Sequence, residues 1–223
     1  MKTVSFVRLA VYAALGDLLV SGGAGLRAQD GLDSRITIMI YDYDGVPAET
    51  LLKAEQEAGR VFGHSGVDIT WRLCRVPRSS VPIECPKPGP MTLAVRLVPR
   101  FQPAPGMAAG AMGYSTGYFA TISVQFAQKL ESKGMARLPE LLGHVMAHEI
   151  GHQLLPREEH SVSGIMRAQW GSNEWKLMRQ GHLNFAPQQS RFMRAELRRR
   201  SPSTVQEAWA RSSIRVLSLG PSR

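Results

Sequence analysis

The chain has 223 residues, 43% hydrophobic and 20% charged, a balance that suits one globular domain with an ordinary core. Its formal net charge of +9 leaves nucleic acid, an anionic surface or plain solubility open as explanations. Much of that charge sits at Arg191, Arg194 and Arg198 to Arg200 with no aromatic platform, which argues for a solvated helix face and makes nucleic acid a minor reading.

The first segment stands apart from the domain. Lys2 and Arg8 give a basic start, residues 9–20 are mostly apolar, and small residues follow to Ala28. This three-part pattern predicts a secretory signal peptide over 1–28, with Asp17 inside the apolar run speaking against a membrane span. Loss of Lys2, Arg8 and Arg27 together with Asp17 leaves a mature charge of +7. The expected destination is secreted or periplasmic, with no transmembrane segment in the mature form.

Residues 35–43 are rich in β-branched and aromatic side chains and predict a first strand. Pro47 opens a helix to about Phe62, with Leu51, Leu52, Ala58, Val61 and Phe62 as its apolar face. Residues 67–75 alternate apolar and polar, the period of a half-buried strand. His64, in the turn between them, reads as structural. Residues 77–90 hold five prolines and form a long loop, with Cys74 before it and Cys85 within it. Two cysteines in an exported chain predict a disulfide, the alternative being two buried thiols. Strands are predicted over 91–98 and 118–124, separated by a small, glycine-bearing stretch, and a short helix over 125–133.

A longer helix begins near Leu138-Pro139-Glu140 and carries Ala147-His148-Glu149-Ile150-Gly151-His152. His148 and His152 are four apart and project from one helix face, so both imidazoles can reach one metal ion. Glu149, about 100° round the helix, is placed to touch a water on that metal. His144 continues the line but sits a turn, about 5.4 Å, further back, and reads as a core or supporting histidine. Leu141, Leu142, Val145, Met146 and Ile150 face the core.

A site of two protein ligands lacks the third that catalytic zinc usually has. The segment resembles the metzincin metallopeptidases, whose pattern is His-Glu-x-x-His-x-x-Gly-x-x-His followed by a Met-turn. His148, Glu149 and His152 match that pattern, and His160-Ser161 with Gly164-Ile165-Met166 resembles the matrixin branch. Leu155 replaces the family's helix-ending glycine, and Glu158 holds its strict third-ligand position. Pro156 disfavours helical geometry at Leu155, so the helix is expected to end there and a longer loop to return His160 to the metal. Glu158 and Glu159 remain alternative ligands.

The resemblance implies zinc held by His148, His152 and His160, Glu149 as general base, and Met166 as an apolar floor, unless Met166 is simply a core methionine. It also implies an antiparallel strand bordering the cleft and pairing with extended substrate. Gly110, Ala111, Met112, Gly113 and Tyr114 are assigned to that edge, the alternative being a flexible glycine loop. The implied fold class is α+β, metzincin-like: a twisted mixed sheet with an active-site helix, then a smaller helical and irregular C-terminal part. That part is expected to hold a short helix with Trp175, Leu177 and Met178, and another over 188–200 with Phe192, Met193 and Leu197 inward. The domain would span 29–200, with a partly ordered tail over 201–223.

The implied activity is hydrolysis of peptide bonds in a peptide or protein substrate, by a monomer. Three other readings stay open: a gluzincin-like peptidase with Glu174 as third ligand, an exported zinc-binding cell-envelope protein that turns nothing over, and a basic polymer-binding module using the Arg-rich helix.

Overall fold

The computed structural model describes residues 34–74, 84–102, 110–156 and 160–201. The proposed signal segment, most of the C-terminal tail, and Glu158 and Glu159 lie outside these residues.

Five strands form one mixed sheet: β1 (Arg35–Asp42), β2 (Asp68–Leu73), β3 (Thr92–Val98), β4 (Gly113–Thr116) and β5 (Phe119–Ser123). Their spatial order is β2-β1-β3-β5-β4. The first four in that order run parallel, and β4 alone is antiparallel, paired to β5. Parallel neighbours need a crossover, and α1 (Ala48–His64) supplies it between β1 and β2. The remaining helices among the described residues are α2 (Val124–Ser132), α3 (Leu138–Leu154), α4 (Ser172–Arg179) and α5 (Pro187–Arg200). This is an α+β architecture.

Alternation along the central strands sorts side chains between two faces. Ile36, Ile38 and Ile40 of β1 join Leu93, Val95, Leu97, Ala120 and Ile122 in the main core, which α1 and α3 close from below. Met39 and Ala94 point to the opposite face, where they are buried with Cys74 beside Cys85. The expected Cys74–Cys85 disulfide is formed, with Cα atoms 6.1 Å apart, so the covalent link lies over the sheet's outer face. β2, at the far edge, keeps the alternation expected of a half-covered strand, with Asp68, Thr70 and Arg72 exposed.

Three sequence expectations need correction. Leu52 is 53% exposed, because the buried stripe of α1 runs through Leu51, Ala54, Ala58, Val61 and Phe62, and a residue next to Leu51 lies about 100° off it. Phe192 is exposed for the same reason, the inward face of α5 being Gln189, Ser190, Met193 and Leu197. Nor is the arginine cluster only a solvated face. Arg194 donates to the Ser65 carbonyl, and Arg200 donates to Gln153 O at 2.6 Å and Pro90 O at 3.2 Å, tying α5 to the turn after α1 and to the end of α3.

Candidate metal centre

The centre is built on α3. Pro139 occupies its first turn, and Glu140 accepts the Arg137 backbone N–H at 3.2 Å. The last helical residue is Leu154, and Leu155 is already extended (φ −98°, ψ 160°), as a residue before proline should be. The chain is thereby turned out of the helix without a glycine, and it re-enters the described residues at His160.

His148, His152 and His160 come together, each offering one ring nitrogen within 4.8 Å of the others. His148 and His152 are half-buried and His160 is exposed. The Nδ1 of His148 lies 2.7 Å from the Ile165 carbonyl, which only accepts, so that nitrogen bears the proton. Its Nε2 is therefore a free lone pair, and it lies 3.1 Å from Nε2 of His152. Burial pushes His148 down to about 4 and His152 to about 3, so both rings are neutral at neutral pH, as metal ligands must be. Two nitrogens on a tetrahedral zinc stand roughly 3.3 Å apart, given Zn–N bonds of about 2.0–2.1 Å. Donor type, protonation and spacing all fit, and the three histidines could hold a zinc ion.

The segment after His160 packs under α3. Ser161 N–H donates to Met166 O at 2.9 Å, and Ile165 N–H to Asn184 O at 3.2 Å. Met166 is fully buried, and a Cβ on Gly151 would come within 2.8 Å of its sulfur and 2.8 Å of the Phe185 ring. Only glycine at 151 lets this turn press against the helix directly beside His152. Trp170 donates its indole N–H to the same Ile165 carbonyl at 2.9 Å, so His148 and Trp170 share one acceptor.

Glu149 is buried, 5% exposed, and turned toward β4. A Cβ on Gly113 would lie 2.8 Å from its Oε1, so the carboxyl rests against bare backbone. Two residues on, and therefore on the same strand face, the Ser115 hydroxyl lies 2.7 Å from Glu149 O and 2.8 Å from Glu149 Oε2. The hydroxyl can donate to the main-chain carbonyl or to the carboxylate Oε2, both of which only accept. Burial pushes Glu149 up to about 7, against the lowering effect of the serine.

The predicted edge strand is present but starts later than assigned: Gly113 and Tyr114 belong to β4, while Gly110, Ala111 and Met112 precede it. All five line a cleft of about 810 Å³ that also contains the three histidines and Glu149. Sequence reasoning placed Ser115 on the edge stretch but missed its contact with Glu149, for which the period of two from Gly113 was a usable signal, and it missed Arg167 in this cleft, to which nothing local pointed.

The remaining sequence candidates fall elsewhere. His144 is fully buried, its Nδ1 donating to Glu140 O at 2.8 Å and its Nε2 3.5 Å from a Glu57 oxygen, outside the histidine trio. Glu174, the alternative third ligand, is overturned for that role: it is 1% exposed and committed to Arg167 at 2.6 Å and to the Gly171 N–H at 2.9 Å.

No protein-family model matches the sequence, and no curated protein is similar to it. Among solved structures it is similar to archaemetzincin from Methanopyrus kandleri, at 15% identity and TM-score 0.47, covering 74% of this chain and 96% of that one. It is similar also to a zinc-dependent peptidase from Methanocorpusculum labreanum, at 15% identity and TM-score 0.47, covering 70% and 99%. At that level of likeness the site has to stand on its own side chains.

Proposed function

We propose that the chain is an exported zinc-dependent endopeptidase of the metzincin type, its catalytic domain spanning 29–200. The observation that carries this reading is the convergence of His148, His152 and His160 beside a buried carboxyl and an antiparallel edge strand. Zinc, when held there, supplies Lewis acidity that polarises a carbonyl and brings the pKa of water toward about 7.

The chain's own residues do the rest. His148 is fixed in the tautomer that offers Nε2, because its Nδ1–H is bound to Ile165. Glu149 takes a proton from the attacking water and returns it to the leaving amine. A cation beside it favours the charged form, and Ser115 then donates to that carboxylate and keeps it aimed. β4, the last strand of the sheet among the described residues, offers its outer edge to an extended peptide, which adds as a further strand. Met166 floors the site and keeps the turn that bears Ile165 seated on α3.

Export is supported by the signal-like first segment and by the disulfide, which persists in oxidising compartments. No helix among the described residues is long and apolar enough to cross a membrane.

The test is cleavage of a broad peptide library by the zinc-loaded protein, with and without chelator. Cleavage that chelator abolishes, and that Glu149→Ala removes while bound zinc is unchanged, is the expected result. Zinc retained by a wild type that cleaves nothing would sink the peptidase reading and leave a zinc-holding envelope protein.

A further inference from the structure

The cleft holds one feature that the hydrolytic chemistry leaves unused. Arg167, immediately after Met166, is the only cationic side chain among the described residues that line it. Much of the surrounding wall is apolar, with Phe126, Leu130, Val145, Trp170 and Trp175 on it. The guanidinium donates through Nη1 to Glu174 Oε2 at 2.6 Å, and this is its one hydrogen bond among the described residues. A guanidinium has five N–H donors in a fixed fork, so most of them stay available.

The ion pair does not cancel this charge at the cleft. Glu174 is 1% exposed, whereas the Arg167 side chain is 41% exposed, so the anion is withdrawn and the cation presented. Glu174 also sits in the first turn of α4 and accepts the Gly171 N–H at 2.9 Å, so the helix N-terminus takes up part of its charge. What Glu174 contributes is position: it holds a long, mobile side chain in one place, which lowers the ordering cost when a ligand arrives.

We propose that Arg167 is a specificity-determining residue that reads a carboxylate on the substrate, either an acidic side chain close to the scissile bond or the free C-terminus of a short peptide. The inference rests on the peptidase reading for its setting, since it names what that cleft prefers to take. A planar fork set beside Phe126, Leu130, Val145, Trp170 and Trp175 on the cleft lining favours a planar, bidentate anion flanked by apolar groups.

The experiment uses alanine-rich octapeptides with one leucine, in which aspartate replaces asparagine at each position in turn, and a parallel pair with free or amidated C-terminus. Affinity is measured by calorimetry on the zinc-loaded full chain carrying Glu149→Ala, and cleavage on the wild type. The expected result is a preference for one aspartate position, or for the free C-terminus, on the order of tenfold or more, the worth of a charge-assisted hydrogen bond. That preference should vanish in Arg167→Gln and survive in part in Arg167→Lys, with bound zinc unchanged.

Equal binding of the aspartate and asparagine peptides and of both C-terminal forms would overturn the proposal on the unaltered Arg167 side chain, whether or not the Gln variant folds. A carboxylate preference without turnover would uphold it while sinking the peptidase reading. Turnover with no such preference would do the reverse.

Discussion

Helices α1 and α3 are both 17 residues long and pack against each other, yet they are opposite kinds of helix. α1 buries one stripe of apolar residues and leaves its other faces to water and to surface pairs such as Lys53 with Glu49 at 2.7 Å. α3 is enclosed nearly all round, and its buried set includes His144, Glu149 and Gln153. Buried polar groups are costly unless bonded. Glu149 is bonded by Ser115 and His144 by the Glu140 carbonyl, whereas the Gln153 side-chain amide has no hydrogen-bond partner among the described residues. The buttress is disposable chemistry on a fixed shape; the enclosed helix is fixed chemistry. Paired substitutions on the two helices and the adjoining turn can break or sharpen that contrast.

The largest effect is expected at the carboxyls. Glu149→Gln should lower turnover on the order of 10³-fold with zinc content intact, because proton transfer is lost and little volume changes. Glu57→Gln on α1, which removes a half-buried pair with Arg60 at 2.7 Å, should leave turnover alone and cost about 1 kcal/mol or less in a thermal melt. Equal activity losses in the two variants would erase the distinction.

Next come the histidines. His160→Ala should weaken zinc binding by roughly 100-fold or more, beyond the 10–100-fold typical of a supporting residue, as read by competition with a chelating dye. His64→Ala, at the exposed end of α1, should leave it unchanged.

Glycines give a change of sign. Gly151→Ala forces a Cβ to within 2.8 Å of Met166 and Phe185 and should cost about 1–3 kcal/mol. Gly63→Ala meets nothing within 4 Å and should stabilise α1 by up to about 1 kcal/mol through helix propensity. Denaturant melts of both variants measure this directly.

The last effect concerns pH in the zinc-free protein and leaves turnover and zinc affinity out of account. Burial holds native His148 at about 4 and His152 at about 3, below their ordinary 6.5. Between those values the unfolded chain binds protons that the native state refuses. Their contribution to stability is thus full above 6.5 and falls as the pH drops toward 4 and 3. Glu149 runs the other way: held protonated up to about 7 against an ordinary 4.5, it loses its contribution as pH rises through that window. Glu149→Gln removes the opposing trend, so its melting temperature should fall monotonically on acidification below 6.5. Adding His148→Gln should flatten the slope.

The contrast also explains what could be read in advance. α1 is legible from periodicity, down to Leu51, Ala58, Val61 and Phe62, and the error at Leu52 is one of stripe width. α3 carries no such stripe, and is legible instead through His148-Glu149-x-x-His152 and the proline that ends it. The resemblance pointed to His160, which the fold brings beside the other two rings. Ser115 and Arg167 escaped because their meaning comes from partners at Glu149 and Glu174, which sit on other elements. Arg194 and Arg200 escaped likewise: a basic run looks solvated until the carbonyls that receive it are known.

The shared acceptor at Ile165 gives the molecule a built-in optical reporter. One carbonyl accepts a hydrogen bond from the imidazole of residue 148 and another from the indole of residue 170, so drawing electron density out of that imidazole changes what the carbonyl offers the indole. Loading the centre should therefore shift tryptophan emission, and replacing residue 170 with phenylalanine should diminish that signal, leaving what its neighbour Trp175, 5.5 Å away, contributes. Occupancy would then be visible in a cuvette, with no dye and no turnover.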